Sequence, residues 1–183
     1  DQITKIQEDL LFTPYAPEGY GAVPEPFSVF EQSETEIYVP KFYGIETFGE
    51  PQENKLPEGK NVNLRFQGDL RPDQLQPVEI CLQAKKSSGG GILCLGCGAG
   101  KTVMGLYLLS QIQKKALIVV HKEFLLDQWV ERIKMFLPQA RVGTIQGKVM
   151  DVENKDIVIG MLQSLSMKDY APAIFAEFGV AIF

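Results

Sequence analysis

Length, composition and charge already exclude several classes of protein. The chain has 183 residues, 45% of them apolar and 22% charged, which is ordinary for a globular protein with a core of its own. It contains no run of about 18 apolar residues, and residues 1–10 lack the pattern of a signal peptide, so no membrane contact is expected. Its three cysteines are too few for a disulfide framework, and a reducing, intracellular compartment is expected.

The net charge of −5 is distributed unevenly along the chain. Residues 1–64 carry twelve Asp and Glu against four Lys, a net charge of −8, whereas residues 65–183 have a net charge of +3. The overall charge argues against a generally basic nucleic-acid binder. The second part is the better candidate for contact with a polyanion.

Residues 1–64 are predicted to form an accessory arm and a linker. They hold seven of the eleven prolines and show poor helical periodicity, so short pieces are expected. The β-branched and aromatic residues of Thr35 to Val39 favour a short strand. Gly49 to Asn63 has the composition of a linker.

A helix is predicted to begin near Pro72, where a missing N–H costs little, and residues 74–84 would form its body. Pro77 is tolerable only if it still lies in the first turn, which leaves the start of this helix open. Ser87 to Gly91 then end the helix.

Strands and helices alternate over the remaining residues. Short apolar runs predict strands at 92–95, 116–120, 142–145, 156–160 and 180–183, and the segments 102–114 and 123–136 predict helices. Most of these strands are almost wholly apolar, which is typical of a parallel sheet covered on both faces. The predicted fold class is therefore α/β, preceded by a small irregular region that contains some β structure.

One glycine-rich segment between a predicted strand and a predicted helix indicates a chemistry: Gly96-Cys97-Gly98-Ala99-Gly100-Lys101-Thr102. The glycines let the backbone curl so that successive N–H groups face an anion, and the helix that follows adds free N–H groups. Lys101 is expected to reach the β- and γ-phosphates of a nucleotide, and the hydroxyl of Thr102 to bind Mg²⁺. Leu95 stands where the general pattern has glycine, and a plain glycine-rich turn is the simpler alternative.

Leu95 to Thr102 resembles motif I of superfamily 2 helicases of the transcription-and-repair (XPB-like) group and of their relatives in large DNA viruses. Other stretches resemble further motifs of this group in the same order. Leu70 to Gln74 resembles the Leu-Arg-Pro-x-Gln segment, and residues 116–129, 142–147 and 156–165 resemble motifs Ia, Ib and Ic. The resemblance covers about residues 65–183 and implies an incomplete RecA-like P-loop NTPase lobe that uses ATP and Mg²⁺.

The resemblance also implies roles for individual residues. Lys101 and Thr102 would be catalytic, and the nucleotide would be held by the whole glycine loop together with Arg71 and Gln74, whose amide contacts adenine in the family. Asp73 stands where the family often has an aromatic residue, which argues against stacking on adenine from that position. Contacts with a nucleic-acid backbone would come from residues that follow the strands: His121, Lys122, Gln146, Gly147, Gln163 and Ser164.

In this family, the strand that corresponds to residues 180–183 runs directly into Asp-Glu-x-His, whose Asp holds Mg²⁺ and whose Glu activates water. The sequence stops at Phe183 and lacks the second motor lobe with its arginine fingers, so the chain is expected to be a fragment. Loss of the charge-stabilising arginine alone lowers the rate by about 10³–10⁵. The chain by itself is expected to hydrolyse ATP negligibly, and turnover within about tenfold of ordinary enzyme rates would contradict this.

The expected function is that of the ATP-binding lobe of a viral helicase or translocase. Its expected partner is DNA, with RNA as the alternative, held through backbone contacts. Transcription or repair proteins would bind through residues 1–64, and the expected location is the nucleus or a cytoplasmic viral factory. One alternative is a P-loop phosphotransferase, although arginines at 65, 71, 132 and 141 do not suit a substrate lid. The other is a non-catalytic docking module.

Several residues have simpler structural interpretations. Cys94 and Cys97 have the C-x-x-C spacing, but a zinc site would need a second pair. Trp129 lies on an apolar helix face, which favours core packing. A lone exposed histidine such as His121 is often incidental, and Lys85 and Lys86 are expected to be a solvated helix end.

Overall fold

The computed structural model of the protein describes residues 2–15 and 24–183. Its contacts divide the chain into two compact units, Asp1–Asn54 and Lys55–Phe183. Residues 16–23, which belong to the predicted accessory arm, lie outside the described residues.

The first unit contains two short helices and two antiparallel ribbons. Helix α1 spans Gln2–Asp9, and strand β1 (Leu11–Phe12) pairs with β2 (Phe27–Ser28). Strand β3 (Glu31–Gln32) pairs with β4 (Ile37–Tyr38), and helix α2 spans Lys41–Phe48. The structure places β4 inside the predicted strand Thr35 to Val39. The sequence does not predict the two helices, because eight residues are too few for a 3.6-residue period to stand out.

The first unit combines a few buried apolar side chains with hydrogen bonds between its elements. Ile6 of α1 and Leu10 just after it are buried, with exposed fractions of 5% and 7%. The hydroxyl of Tyr43 donates a hydrogen bond of 2.9 Å to Asp9, which ties α2 to the end of α1. Large apolar side chains of this unit nevertheless remain on its surface, among them Phe12, Tyr15, Phe27 and Tyr38.

A five-stranded sheet forms the centre of the second unit, in the order β7-β6-β8-β5-β9. Strands β6, β8, β5 and β9 are parallel, and β7 folds back antiparallel onto β6. This arrangement confirms the α/β fold class with its parallel sheet. The strand bounds are β5 Ala116–Val120, β6 Val142–Gln146, β7 Val149–Met150, β8 Ile157–Met161 and β9 Val180–Ile182.

Helices cover this sheet on both faces, because β5 and β8 carry apolar side chains at successive positions. Ile118 and Ile159 belong to one buried cluster, whereas their neighbours Leu117 and Val158 belong to a second. Trp129 packs against the first cluster, as predicted. Among the described helices none has the length and apolar character needed to cross a membrane. The helix bounds are α3 Pro72–Ser87, α4 Lys101–Ile112, α5 Glu123–Phe136, α6 Leu162–Ser166 and α7 Pro172–Phe175.

One sequence prediction in this unit is wrong, and one that was left open is decided. Residues 92–95 do not form a buried strand: Ile92 is 98% exposed, and the segment belongs to none of the described strands. Apolar composition is not sufficient for a strand, whose N–H and C=O groups also need a paired neighbour. Helix α3 begins at Pro72, as predicted, and contains Pro77 beyond its first turn. The missing N–H leaves the carbonyl of Asp73 without its helical partner, and the exposed position of Asp73 lets water take that place.

The segment with the composition of a linker belongs to the second unit from residue 55 onwards. The N–H of Lys60 donates to the carbonyl of Glu177 at 2.7 Å, and the N–H of Lys115 donates to the carbonyl of Lys60 at 2.8 Å. Asn61 forms an isolated bridge with Lys114, and Leu64 is buried. Residues 59–62 therefore run alongside the edge where β5 and β9 begin.

Charged side chains are paired where the parallel strands begin. The ammonium of Lys115, which is 1% exposed, donates to the carbonyl of Val152 at 2.8 Å and to Glu177 Oε2 at 2.5 Å. Asp156 accepts hydrogen bonds from the backbone N–H and the guanidinium of Arg141. Burial alone would raise the pKa of Asp156, but the hydrogen bonds from Arg141 and the nearby charge of Lys115 outweigh it and lower that pKa.

Candidate nucleotide and nucleic-acid sites

The glycine loop lies between the N-terminus of α3 and the N-terminus of α4. Gly98 and Gly100 have φ angles of 77° and 83°, the left-handed region that glycine adopts without strain. A Cβ at Gly98 would meet no atom within 4 Å, whereas a Cβ at Gly100 would overlap Nε2 of Gln74. The loop is therefore open on one side and held close to α3 on the other.

Gln74 connects the loop to α3. Its side chain is 3% exposed; Oε1 accepts the N–H of Arg71 at 3.0 Å, and Nε2 donates to the carbonyl of Ala99 at 3.0 Å. Arg71 Nη2 donates to the same carbonyl at 2.9 Å and also pairs with Asp73. The hydrogen bond from Arg71 lowers the pKa of Asp73. Arg71 and Gln74, both predicted to bind the nucleotide, thus contact the loop itself.

Lys101 begins α4, and its exposed ammonium folds back over the loop. Nζ donates to the carbonyl oxygens of Leu95 and Gly96, both at 2.9 Å. An ammonium has three donors, so the third is available to a ligand. Thr102 follows on the first turn of α4, which carries no acidic residue. The first N–H groups of a helix have no partner within the helix, and together with Lys101 they favour an anion.

These residues fit a nucleotide with its Mg²⁺. The chain supplies backbone donors and an ammonium for the phosphates, and the hydroxyl of Thr102 for the metal. In the described part of the chain, no group of three or more His, Cys, Asp and Glu side chains is placed to hold a metal. In general Mg²⁺ takes few protein ligands and completes its shell with phosphate oxygens and water.

The predicted nucleic-acid residues lie together at the carboxyl edge of the sheet, joined by hydrogen bonds. Gln163, after β8, donates to the carbonyl of His121, after β5, at 3.1 Å. The N–H of Gly147, after β6, donates to Ser164 Oγ at 2.9 Å. Gln146 donates to Glu123 at 3.2 Å. Lys122 is exposed at the same edge. Three strand ends thus form one connected surface, and whether it touches nucleic acid stays a prediction.

Sequence reasoning did not find every residue of this edge. Lys168 donates to the carbonyl of Gly147, and Glu123 accepts from Gln146. Glu123 is the first residue of α5, and Lys168 lies just after α6. The prediction considered residues that directly follow a predicted strand, so it did not include these two. Lys148 could have been included from the sequence alone, because it directly follows the predicted motif at 142–147. Cys94 and Cys97 are free and exposed, and among the residues that the structure describes they belong to no group that could hold a metal.

A glycine loop that opens a helix beside a parallel sheet defines the class of P-loop nucleoside-triphosphate-binding α/β proteins. Within that class, residues 67–183 match the family described as "Type III restriction enzyme, res subunit". The chain belongs to this family.

Two of the following three curated relatives carry helicase names. The chain is 33% identical over its whole length to the putative ATP-dependent RNA helicase L396 of Acanthamoeba polyphaga mimivirus, covering 36% of that protein. Over 43% of the chain it is 33% identical to the XPB helicase/translocase subunit of the transcription and DNA repair factor IIH of Encephalitozoon cuniculi, covering 12% of it. Over 70% of the chain it is 30% identical to transcript termination protein A18 of Yaba-like disease virus, covering 28% of it.

These relatives confirm the resemblance to the XPB-like helicases and their counterparts in large DNA viruses. The chain spans about a third or less of the length of these relatives.

Proposed function

We propose that this chain is the ATP-binding lobe of an ATP-dependent superfamily 2 helicase or translocase that acts on DNA or RNA. The observation that carries the proposal is the glycine loop held by Gln74 and Arg71, with the ammonium of Lys101 folded over it. The family match and the helicase names of the relatives support the same assignment.

The chemistry of the site follows from its donors. Lys101 would exchange its two loop carbonyls for β- and γ-phosphate oxygens, which are stronger acceptors because they carry charge. The N–H groups of residues 98–102 would surround the same phosphates, and the hydroxyl of Thr102 would hold Mg²⁺. The metal supplies neutralisation of charge on the phosphate oxygens. Gln74 would position the loop through its hydrogen bond to the carbonyl of Ala99. The same side chain would contact the adenine base of the bound nucleotide.

Nucleic acid would run over the strand-end surface, held by its backbone and not by its bases. Such binding is tolerant of sequence and sensitive to salt. The N-terminal unit carries exposed aromatic side chains, and residues 1–64 have a net charge of −8, which suits contact with other proteins. We propose transcription or repair proteins as its partners. A location in the nucleus or in a cytoplasmic viral factory belongs to the same proposal, which starts from the viral origin of two relatives.

Nucleotide binding is tested by the unfolding of the chain in urea. Mg-ATP at about a hundred times its dissociation constant should raise the free energy of unfolding by about 2.7 kcal/mol. Lys101→Ala should abolish this gain, because the ammonium is the single positive charge that the loop contributes. The unliganded variant should unfold at nearly the urea concentration of the parent, since Lys101 is exposed.

The matched control is Lys86→Ala, which removes an equally exposed lysine at the end of α3 and should keep the full response to Mg-ATP. Titration calorimetry provides the independent measurement. If folded parent protein gave no heat with any purine triphosphate in the presence of magnesium, the proposed function would be wrong.

A further inference from the structure

Two cysteines lie in the exposed entry of the nucleotide loop. Cys94 and Cys97 are both free, and two residues separate them in the sequence. Residues 92–96 belong to none of the described strands or helices, and none of their side chains is fully buried. Ile92 is 98% exposed. The entry of the loop can therefore change its backbone conformation without breaking a strand ladder or opening a core.

The far half of the loop is fixed to α3. The carbonyl of Ala99 accepts hydrogen bonds from Gln74 Nε2 at 3.0 Å and from Arg71 Nη2 at 2.9 Å. A Cβ at Gly98, the residue before it, would meet no atom within 4 Å. Any rearrangement of the entry must therefore be absorbed at Gly98 and in the residues before it.

The two residues between the cysteines are the ones that Lys101 contacts. Its Nζ donates to the carbonyl oxygens of Leu95 and Gly96, both at 2.9 Å. A change of backbone conformation between Cys94 and Cys97 therefore moves the acceptors of the ammonium that would bind the phosphates.

The spacing of the cysteines suits a disulfide that is closed by a turn. A disulfide requires Cα atoms about 4.4–6.8 Å apart, and the first and last residues of a β-turn lie within about 7 Å of each other. In Cys94-Leu95-Gly96-Cys97, glycine stands at the third position, where a type II turn requires a positive φ angle. A Cβ at Gly96 would meet no atom within 4 Å, so this part of the loop has room to turn.

We infer that Cys94 and Cys97 are the site of a reversible disulfide that closes the nucleotide loop to ATP. The inference rests on the proposed function, because it names a regulation of the same site. The bond would fix residues 94–97 as a turn and move the carbonyls that Lys101 contacts. With Ala99 held by α3, the loop could then no longer adjust around the phosphates. Disulfides inside cells are usually transient, catalytic or redox-sensing, which fits such a role.

The oxidant is a low-molecular-weight disulfide, represented by glutathione disulfide. The thiolate of Cys97 attacks one of its sulfur atoms, the S–S bond breaks, and a mixed disulfide forms as one glutathione thiolate leaves. The thiolate of Cys94 then attacks the sulfur of Cys97 and releases the second glutathione. The protons of the two protein thiols pass through water to the two departing thiolates. Two protein thiols are thus oxidised, and one glutathione disulfide is reduced to two glutathione molecules.

The test treats the folded 183-residue chain with glutathione disulfide and then alkylates and digests it with trypsin. Cleavage after Lys86 and Lys101 gives the peptide 87–101, which contains both loop cysteines and not Cys81. Mass spectrometry should find this peptide lighter by two hydrogen atoms, without glutathione and without alkylation. Dithiothreitol should return it to the reduced mass and restore the stabilisation by Mg-ATP that the oxidised chain has lost.

Nucleotide and disulfide should also oppose each other at equilibrium, because linkage between two sites is reciprocal. Mg-ATP at about a hundred times its dissociation constant for the reduced chain should lower the equilibrium constant of oxidation about a hundredfold. The measurement is the fraction of oxidised peptide 87–101 over a series of ratios of glutathione disulfide to glutathione. An oxidation curve that Mg-ATP did not move would overturn the inference.

Two variants separate the loop disulfide from general thiol oxidation. Cys94→Ser removes the second thiol, so its peptide 87–101 should keep one glutathione on Cys97. The matched control is Cys81→Ser, which should leave the loop disulfide unchanged, because Cys81 is partly buried on α3 and burial raises the pKa of its thiol. A parent peptide that stayed reduced or kept glutathione, or a disulfide-bonded chain with the full response to Mg-ATP, would overturn the inference.

Failure of the inference and failure of the proposed function give different results. The mass measurement requires no nucleotide, and the response of the reduced chain to Mg-ATP tests the nucleotide site alone. If the reduced parent did not respond to Mg-ATP, the proposed function and the inference would both be wrong. If the reduced and the oxidised chains responded equally, only the inference would be wrong. Because Cys94 is exposed, Cys94→Ser should unfold at the same urea concentration as the reduced parent.

Discussion

Replacement of Gly59 by alanine is expected to destabilise the second unit by about 2–5 kcal/mol, the combined cost of a left-handed backbone and of overpacking. Gly59 has a φ angle of 73°. A Cβ there would overlap the backbone N and Cα of Gly179 and lie 2.7 Å from the carbonyl carbon of Phe178. Because those atoms belong to the backbone, no side-chain rotation can relieve the overlap.

The consequence for the sheet follows from the hydrogen bonds around Gly59. Movement of this segment would break the bonds that Lys60 makes with Glu177 and Lys115, next to the start of β5 and β9. The measurement is the urea midpoint of unfolding at unchanged m value. The control is Gly147→Ala, where φ is also positive but no atom lies within 4 Å of the added carbon, so about 1–2 kcal/mol is expected. Equal losses in the two variants would show that backbone conformation, and not the contact with Gly179, determines the effect.

The sheet could be predicted from sequence wherever burial on both faces left a continuous apolar run. Residues 116–120 and 156–160 have such runs, and the structure forms β5 and β8 within one residue of them. The run at 92–95 is also apolar, but it belongs to none of the described strands. A hydrophobic pattern indicates that the side chains of a segment favour burial. It contains no information about whether a neighbouring strand is present to pair with the backbone of that segment.

The candidate site also has parts that the sequence predicts and parts that only the fold brings together. The glycine loop could be found because its chemistry is encoded in seven consecutive residues. The bonds from Gln74 and Arg71 to Ala99 join positions 25 and 28 residues apart, so only the fold brings them together. The contact of Lys168 with Gly147 spans 21 residues and is equally invisible to a local motif. Resemblance to the helicases predicted which residues line the carboxyl edge, but it did not predict that their side chains would bond to one another.

Residues 55–64 show why composition misleads for linkers. Polar residues, glycine and proline are common in flexible connections, but here the backbone of the segment makes the contacts, and backbone contacts leave little trace in composition. Gly59 is the one position where the close approach requires a particular residue. A glycine beside Glu58 and Lys60 gives no local signal, because the surface it meets is Gly179, far along the chain.

Replacement of Glu177 by alanine is expected to destabilise the second unit by about 2–3 kcal/mol. The reason is that Lys115 Nζ, 1% exposed, would lose its carboxylate and remain a buried charge beside the carbonyl of Val152 and the ring of Phe178. Breaking a fully buried ion pair costs about 3–5 kcal/mol, and the smaller value applies because Glu177 is 41% exposed. Urea unfolding measures the loss, and Glu153→Ala, which removes an exposed carboxylate, should change stability by less than about 0.5 kcal/mol.

Two further measurements separate charge from packing in this cluster. The double variant Lys115→Met and Glu177→Ala should be more stable than Glu177→Ala alone, because the buried charge is gone and the apolar stem is kept.

The hydrogen bond from Lys115 lowers the pKa of Glu177 in the folded protein. The contribution of Glu177 to stability is therefore complete above its unfolded-state pKa of about 4.3 and disappears as pH falls through its folded-state pKa. Stability of the parent should therefore fall on acidification below about pH 4 more steeply than that of Glu177→Ala. Parallel curves for the two proteins, or a double variant no better than the single one, would mean that the Lys115–Glu177 pair does not stabilise this end of the sheet.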